Sequence, residues 1–398
     1  MTASARAPLD GVVVLDFSRV LAGPFCSALL ADLGADVIKV EPPQGDDQRW
    51  MGAFRDGISV SFELINRSKR SIRLDLKTEE GRKIALALAG RADVVIENFR
   101  PGVAERLGIG YEALKARRPD IVYCSISGFG QAGPMAQFPS YDVVAQALSG
   151  MMSITGMPDG EPVLVGDSIG DTVSGLYCAL GIALALFRRA STGGGAHIDI
   201  AMFDALFSLL PTALASWQVT GEAPGRAGNQ HPLSAPFGAF AARDGLFMLA
   251  IANKALFSRF AGLIGRPELA ADPRFDSDPA RRTNRAALRE IIEEWARDRS
   301  AAAVVALLGE AGIPASTIWN VAEAAASDHA ASRKLMSEVE HPRLGRLRLP
   351  EQPLHFAGLG RGAVRRAPDL GADGADILGR LLGMEPDEVR RLVESGAI

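Results

Sequence analysis

The chain has 398 residues, 47% hydrophobic and 23% charged, a composition typical of soluble globular proteins and a length that favours two or three domains. Its 43 Lys and Arg residues against 47 Asp and Glu give a formal net charge of −4, which offers no support for a nucleic-acid or anionic-membrane partner. The three cysteines lie far apart and the five histidines form no i, i+4 pair, so neither a disulfide framework nor a metal site is expected.

The first part of the chain alternates short apolar segments with helical ones. Strands are predicted over 11–17, 37–41, 92–97 and 121–126, and helices over 25–33, 78–91 and 111–118. The strands are continuous β-branched runs, which are typical of strands buried on both faces. This α/β pattern predicts a Rossmann-like parallel sheet whose ligands bind at the carboxyl ends of the strands. The loops 19–24, 98–102 and 127–134 lie there.

The later part of the chain predicts a second, smaller domain. A long apolar helix from Asp171 to Arg189 is followed by a strand over 197–202. A Gly- and Pro-rich segment over 221–236 is predicted to be a linker or an active-site loop. We therefore expect a large domain over 1–220, a linker and small α+β domain over 221–325, and a C-terminal segment over 326–398 that returns to the large domain.

No segment is expected to contact a membrane. The longest apolar run, 176–187, is shorter than the ~20 residues that cross a bilayer. Residues 1–9 carry one arginine and no apolar core, unlike a signal peptide. The cysteines have apolar neighbours and are interpreted as buried thiols in a reducing compartment, so a cytoplasmic protein is predicted.

Asp171 opens the long apolar helix with glycines on both sides, Gly166, Gly170 and Gly175. A carboxylate at a helix N-terminus gains N–H donors and the helix dipole, worth about 0.3–1 kcal/mol, so a capping role alone can explain it. The flanking glycines allow a backbone or a ligand to approach closely, which favours a functional role.

Three other segments admit both a structural and a functional interpretation. Residues 98–102, with Arg106 after them, are either an ordinary turn or a loop that clamps a flat ring and an anion. The basic run 66–71 is either a solvated edge or a phosphate site. Residues 226–232 are either a domain linker or a lid.

Ten short segments, taken in their order along the chain, together form a pattern that is specific for one protein family. The set comprises 8–17, 22–24, 33–41, 69–75, 97–102, 127–130, the Asp171 segment, 193–202, 228–232 and 312–314. It resembles the class III CoA-transferase family, which includes formyl-CoA transferase and the carnitine and bile-acid CoA-transferases. The resemblance implies a homodimer of two chains threaded through each other as interlocked rings.

The resemblance also implies a nucleophile, Asp171, which stands four residues before Gly175. Asp167 is followed at that spacing by an acid and is assigned no catalytic role. The Asp171 carboxylate, expected to be ionised at neutral pH, would attack an acyl-CoA thioester and form an aspartyl–acyl anhydride and then an aspartyl–CoA thioester. CoA is thus implied as a co-substrate, with no permanently bound cofactor and no metal.

Further site residues follow from the same resemblance. The implied CoA-binding residues are Val20, Lys69, Arg70, Asn98, Phe99 and Arg106. The lid and oxyanion candidates are Gly228, Asn229, Gln230 and His231, together with backbone N–H groups at the start of the Asp171 helix. The substrate-side candidates are Arg19, Arg49, Arg55 and Tyr141, and the arginines suggest a dicarboxylic acid.

Two departures and two alternatives complete the prediction. Leu21 replaces a glutamine of the formyl-type subgroup and residues 228–232 replace its glycine-run lid, so oxalate and formate are not expected as substrates.

An α-methylacyl-CoA racemase of the same fold needs two acid/base groups and pairs a histidine with an acid. Tyr141 stands where that histidine would precede the acid aligned with Asp142, which favours transfer. A CoA-binding module without catalysis is the other alternative.

Overall fold

The computed structural model describes residues 6–394, Gly396 and Ile398. The chain forms two compact units, one of Met1–Met152, Leu164–Ala215 and Asp328–Ile398 and the other of Ser153–Val163 and Ser216–Ser327. Residues 153–163, predicted in the large domain, belong to the second unit. Hydrogen bonds explain this placement, because Gly228 N–H donates to Gly156 O (2.9 Å) and Arg226 Nη2 donates to Gly160 O (2.6 Å).

The described part of the chain contains strands in both units. In chain order they are Val13–Asp16 (β1), Asp36–Glu41 (β2), Phe54–Arg55 (β3), Ile58–Ser59 (β4), Arg70–Arg73 (β5), Val94–Glu97 (β6), Val122–Ser127 (β7), Ala196–Ala201 (β8), Phe237–Ala242 (β9), Gly245–Ala250 (β10), Ala315–Thr317 (β11), Met336–His341 (β12) and Gly345–Pro350 (β13). The first unit contains a parallel sheet of six strands in the order β5-β2-β1-β6-β7-β8.

Helices cover this sheet and form much of the second unit. In chain order they are Ala22–Asp32 (α1), Val60–Ile65 (α2), Glu79–Ala89 (α3), Val103–Arg106 (α4), Tyr111–Lys115 (α5), Asp142–Leu148 (α6), Met151–Ile154 (α7), Ile169–Thr192 (α8), Met202–Phe207 (α9), Pro211–Thr220 (α10), Lys254–Leu263 (α11), Asp278–Thr283 (α12), Arg285–Ala296 (α13), Ala301–Glu310 (α14), Val321–Ala326 (α15), Asp328–Ser332 (α16), Gly374–Leu382 (α17) and Pro386–Glu394 (α18). Within the second unit β11, β10 and β9 form an antiparallel sheet.

The parallel sheet is buried on both faces, as its apolar strands predict. Neighbouring residues of β1 divide between two hydrophobic cores, with Leu15 in one and Val14 in the other. The first core includes Ile84 of α3, and the second includes Cys26 of α1 and Ile182 of α8. Alternate side chains of a strand point to opposite faces, so a continuous apolar run fits a sheet between two helix layers. The fold is therefore mixed α/β.

Strand β5 is not expected from its sequence, which reads as part of a basic patch. Carboxylates of the adjacent strand β2 provide partners for its polar side chains. Arg70 Nη2 forms an ion pair with Asp36 Oδ2 (2.6 Å), and Ser71 Oγ donates to Glu41 Oε1 (2.7 Å). A sheet edge can therefore be built from polar residues when the adjacent strand supplies carboxylates.

Helix α8 is longer than its apolar run suggests. It has 24 residues, and by length and composition it is the one helix in the described part of the chain long and apolar enough to cross a membrane. The helix thus extends beyond the apolar run 176–187 at both ends, and length and composition alone do not make it a membrane span. One face of α8, including Ser174, Gly175 and Cys178, is buried, and α8 packs against α1 and the adjoining strands β7 and β8.

Candidate active site

A pocket of about 450 Å³ lies in the first unit at the carboxyl ends of β1, β6 and β7. Its walls come from residues 19–22, 98–101, 126–128, 136, 138–141 and 144, together with Asp47, Asp171 and Met202. This volume suits a small organic ligand or part of a larger one. The position is the one that parallel α/β sheets use for ligands, because the loops after the strands meet there.

Asp171 lies in the first turn of α8, at the third helical position after its N-cap residue Ser168. Gly175, one turn further on, faces α1. A Cβ atom at Gly175 would stand 2.6 Å from Ala22 O and 3.0 Å from the Phe25 ring. Only glycine therefore permits this helix contact, which brings the start of α8 next to the start of α1, and Ala22 and Asp171 line the same pocket.

The carboxyl group of Asp171 is in an unusual electrostatic setting. Burial, and then the carboxylate of Asp142, raise its pKa to about 7. Among the described residues, none donates a hydrogen bond that would stabilise its anion. Both effects disfavour the anion, so they oppose the expectation that the carboxylate is ionised at neutral pH, which stays a prediction.

Asp142 and Gln146 form a support for the start of α8 that sequence reasoning did not identify. Gly170 N–H donates to Asp142 Oδ1 (2.6 Å), and Gln146 Nε2 donates to Asp142 Oδ2 (2.8 Å). Val165 N–H donates to Gln146 Oε1 (3.0 Å). The pair thus ties residues 165–170 to α6. The Asp–Gln spacing of four residues on one helix was the available signal.

Two of the backbone N–H groups at the start of α8 already donate hydrogen bonds within the protein. Gly170 donates to Asp142, as above, and Thr172 N–H donates to Ser168 O (3.0 Å). These two amides are therefore engaged by the protein, which argues against their predicted use as oxyanion donors in this arrangement.

Arg19, Asn98 and Phe99 stand together at the pocket. Arg19 N–H donates to Asn98 Oδ1 (2.9 Å), and Asn98 Nδ2 donates back to Arg19 O (2.7 Å). The Arg19 guanidinium lies 5.9 Å from the centre of the Phe99 ring and 3.3 Å from Asp47 Oδ2. Val20 and Tyr141 line the same pocket, and the Tyr141 side chain is largely exposed. The structure thus brings these five predicted residues to one place.

Lys69 and Arg70 are placed differently from their prediction. Lys69 is fully buried, and its Nζ lies 3.2 Å from Asp16 Oδ2 and donates to Asn66 Oδ1 (2.8 Å). Burial lowers its pKa to about 8. Arg70 is engaged by Asp36 and Asp376. Both positions argue against a contact with a phosphate, since the cations are already paired within the protein.

The remaining predicted cations also have protein partners or lie elsewhere. Arg49 forms two 2.7 Å contacts with Glu41 and lies 3.9 Å over the Phe62 ring. Arg55 Nη2 donates to Leu344 O (2.8 Å). Both arrangements argue against binding of a substrate carboxylate. Arg106 is exposed at the end of α4 and, among the described residues, is not one that lines the pocket.

The predicted lid, residues 228–231, belongs to the second unit. Gly228 N–H donates to Gly156 O (2.9 Å), Gln230 N–H to Ala227 O (3.2 Å) and His231 N–H to Phe237 O (2.7 Å). These three amides are therefore occupied, while the Asn229 side chain is exposed. The lid role stays a prediction.

Comparisons with known proteins give a consistent result. A family model described as CoA-transferase family III matches residues 9–374. The chain is 43% identical over 378 residues to the acetyl-CoA:oxalate CoA-transferase of Acetobacter aceti, covering 94% of this chain and 96% of that protein. It is 36% identical over 388 residues to the succinyl-CoA–D-citramalate CoA-transferase of Chloroflexus aurantiacus, covering 97% and 96%.

A solved structure agrees with these sequence matches. A CaiB/BaiF family protein from Brucella suis matches with a TM-score of 0.84 and 39% identity, covering 94% of this chain and 100% of that chain.

Proposed function

The chain belongs to CoA-transferase family III, and we propose that Asp171 is the residue through which it transfers CoA from an acyl-CoA thioester to a carboxylic acid. The observation that carries this proposal is a shared pocket, in which Asp171 stands opposite the loops that contain Val20, Asn98 and Phe99. The resemblance assigns these loops to CoA, and burial and the Asp142 carboxylate raise the pKa of Asp171 to about 7.

The proposed reaction has two covalent intermediates. An Asp171 carboxylate oxygen attacks the thioester carbon, and the tetrahedral adduct collapses by breaking the C–S bond, which gives a mixed anhydride and a CoA thiolate. The thiolate attacks the Asp171 carbonyl carbon, the anhydride C–O bond breaks, and the first acid leaves. The acceptor carboxylate then runs both steps in reverse and carries CoA away.

Partial burial assists this chemistry. A carboxylate held away from water has lost part of its hydration shell before the attack, so less solvent must be displaced as the new bond forms. The reactive anhydride and thioester are likewise separated from bulk water. The same burial, together with Asp142, raises the pKa of Asp171 to about 7. Activity should therefore increase with pH as Asp171 ionises.

We propose a dicarboxylic acid as the acceptor. The relatives from A. aceti and C. aurantiacus are named for oxalate and D-citramalate, which are both dicarboxylic acids. Their names support the dicarboxylate class, and the first favours oxalate, contrary to the expectation from Leu21 and residues 228–232. Arg100 and Arg19 line the pocket and supply positive charge for a second carboxylate, which at Arg19 would replace Asp47 in an ion pair whose two side chains are about half exposed.

Paired acids of similar size test this class directly. Acetyl-CoA and succinyl-CoA are offered as donors, with succinate against butyrate and oxalate against acetate as acceptors, and the CoA esters are identified by mass. We expect transfer to the dicarboxylates, and an Arg19→Met variant that raises their KM more than kcat changes. Transfer to monocarboxylates alone would end the dicarboxylate proposal, and thioester hydrolysis without transfer would end the transferase mechanism.

The racemase alternative receives no support. The relatives named above are CoA-transferases, and Tyr141 stands where a racemase would place the histidine of its acid/base pair.

We also propose that two copies of the chain form a homodimer, which the resemblance describes as interlocked. Along α8 the side chains of Leu176, Leu180, Leu184 and Phe187 are 57%, 53%, 59% and 79% exposed. Their spacing places them on one face of the helix, and a continuous apolar stripe of this kind is typical of an interface. Light scattering should give twice the chain mass, and a monomer at micromolar concentration would contradict the proposal.

A further inference from the structure

The loop that joins β1 to α1 has a strained backbone at the pocket wall. Val20 has φ of +65°, in the left-handed region. A β-branched residue rarely adopts this conformation, because its Cβ crowds the backbone, and it persists only where the surrounding structure holds it. Arg19, Val20 and Leu21 all line the pocket, so the shape of that wall depends on whatever holds Val20.

Two charged side chains from outside the loop hold it. Val20 N–H donates to Asp46 Oδ1 (3.0 Å), and Lys39 Nζ donates to Ser18 O (3.0 Å). Lys39 and Asp46 also form an ion pair with 2.7 Å between Nζ and Oδ2. The pair therefore contacts the peptide groups on both sides of Arg19, and the second of these is the peptide group that leads into the strained residue.

Burying this ion pair costs desolvation free energy, which stability alone does not explain. The Lys39 and Asp46 side chains are 0% and 1% exposed. Well-packed apolar residues in place of a buried ion pair are often as stabilising or more so, because they avoid the desolvation of two charges. A role in holding a particular backbone conformation accounts for the charges, since apolar side chains could hydrogen-bond neither Ser18 O nor Val20 N–H.

We propose that Lys39 and Asp46 are positioning residues that keep Val20 in its left-handed conformation and thereby set the affinity of the pocket for the CoA portion of the donor. They touch neither Asp171 nor the reacting atoms. This inference rests on the proposed function, in which the Val20 wall contacts CoA.

A cycle of variants tests the inference. Lys39→Met with Asp46→Ala removes both charges together, so no unpaired ion is left in the interior. We expect the KM for the acyl-CoA donor, and the Kd for CoA measured by calorimetry, to rise about tenfold while kcat changes less than about twofold. Glycine adopts positive φ without strain. In the Val20→Gly background the same pair of substitutions should therefore raise KM less than about threefold.

The matched control is the Arg67–Asp32 ion pair in the same unit. It is also almost fully buried, with both side chains 3% exposed and 2.6 Å between them, and neither residue is among those lining the pocket. Arg67→Met with Asp32→Ala should leave the donor KM unchanged. If the Lys39 and Asp46 double variant does not fold, Asp46→Asn serves instead, with a smaller rise in KM that Val20→Gly again removes.

The outcomes separate the two proposals. An equal rise in KM in both Val20 backgrounds, an equal rise in the control, or an unchanged KM in the double variant would overturn the positioning role while leaving the transferase proposal in place. A wild-type chain that binds no CoA in calorimetry would overturn both.

Discussion

Two buried acidic regions of the first unit behave in opposite ways. Under the β1–α1 loop, burial alone would raise the pKa of Asp16, but Lys69 and Lys39 hold it below its usual value. At the start of α8, Asp171 faces a second carboxylate, Asp142, and its pKa rises to about 7. Both carboxyl groups are withdrawn from water, so the presence or absence of a cation decides the sign. The fold thus places two lysines beside the carboxylate under the loop and a second carboxylate beside the one proposed to react.

The largest expected effect separates Asp171 from its near neighbour in sequence. Asp171→Ala should lower kcat by roughly 10³-fold or more, because the covalent route is lost. Asp167→Ala is the matched control, since Asp167 is exposed and its Oδ1 only accepts from Ser168 N–H (2.8 Å). Steady-state transferase assays of both variants check this. Similar losses in the two variants would show that Asp171 has no special role.

The second effect concerns the paired acid. Asp16→Asn should lower the free energy of unfolding at pH 7 by about 3 kcal/mol, because Lys69 and Lys39 then lose a buried counter-charge. Asp16 has a lowered pKa, so its contribution is present above the unfolded pKa near 4 and is lost as pH falls through the lower folded value. Urea unfolding should give a difference that is full at pH 5 and shrinks towards pH 8, because Lys69, whose pKa is already lowered to about 8, loses its proton more easily without Asp16. A difference that grows with pH across this range would contradict the pairing.

The third effect has the opposite sign. Asp171→Asn should increase the free energy of unfolding at pH 8, by on the order of 2 kcal/mol. The raised pKa of Asp171, about 7, means that the folded protein binds this proton more tightly than the unfolded chain. Wild-type stability therefore falls as pH rises from about 4 to about 7, and the variant escapes this loss. A variant less stable than wild type at pH 8 would refute the electrostatic account.

The smallest effect sharpens the role of the second carboxylate. Asp142→Asn removes the like charge beside Asp171 but keeps an oxygen that can accept from Gly170 N–H. The acid limb of kcat/KM should move from near pH 7 to lower pH by about half to one unit. The pH–rate profile measures this shift. An unmoved limb would mean that burial alone sets the pKa of Asp171.

Much of the sheet was predictable from sequence because its strands are buried on both faces. β1, β6 and β7 are mostly apolar, and β2 is apolar apart from its ends and the buried Lys39. The chain order of the motifs predicts the family, which is confirmed by the match to residues 9–374. The hairpin of β12 and β13 was missed because its outward side chains are charged. Its pattern of exposed Glu340 and Arg346 opposite each other becomes clear only from the pairing.

The site was predictable where spacing carried the information. The four-residue step from Asp171 to Gly175 corresponds to a helix contact that only glycine allows. Lys69 shows the limit of such reasoning, because a lysine in a basic run does not reveal that it is fully buried beside Asp16. The ion pair of Lys39 and Asp46 was also missed, because partners seven residues apart across a turn leave no periodic signal in the sequence.

The central claim is that the Asp171 carboxylate becomes covalently attached during turnover, and a mass measurement tests it most directly. The wild-type chain is mixed with an acyl-CoA donor without acceptor, quenched in acid within the first turnovers and digested, and the peptide containing Asp171 is weighed. We predict a mass increase equal to CoA minus water on that residue, absent from the Asp171→Ala protein. An unmodified Asp171 peptide in protein that transfers CoA at full rate, or the adduct on a different residue, would contradict the account.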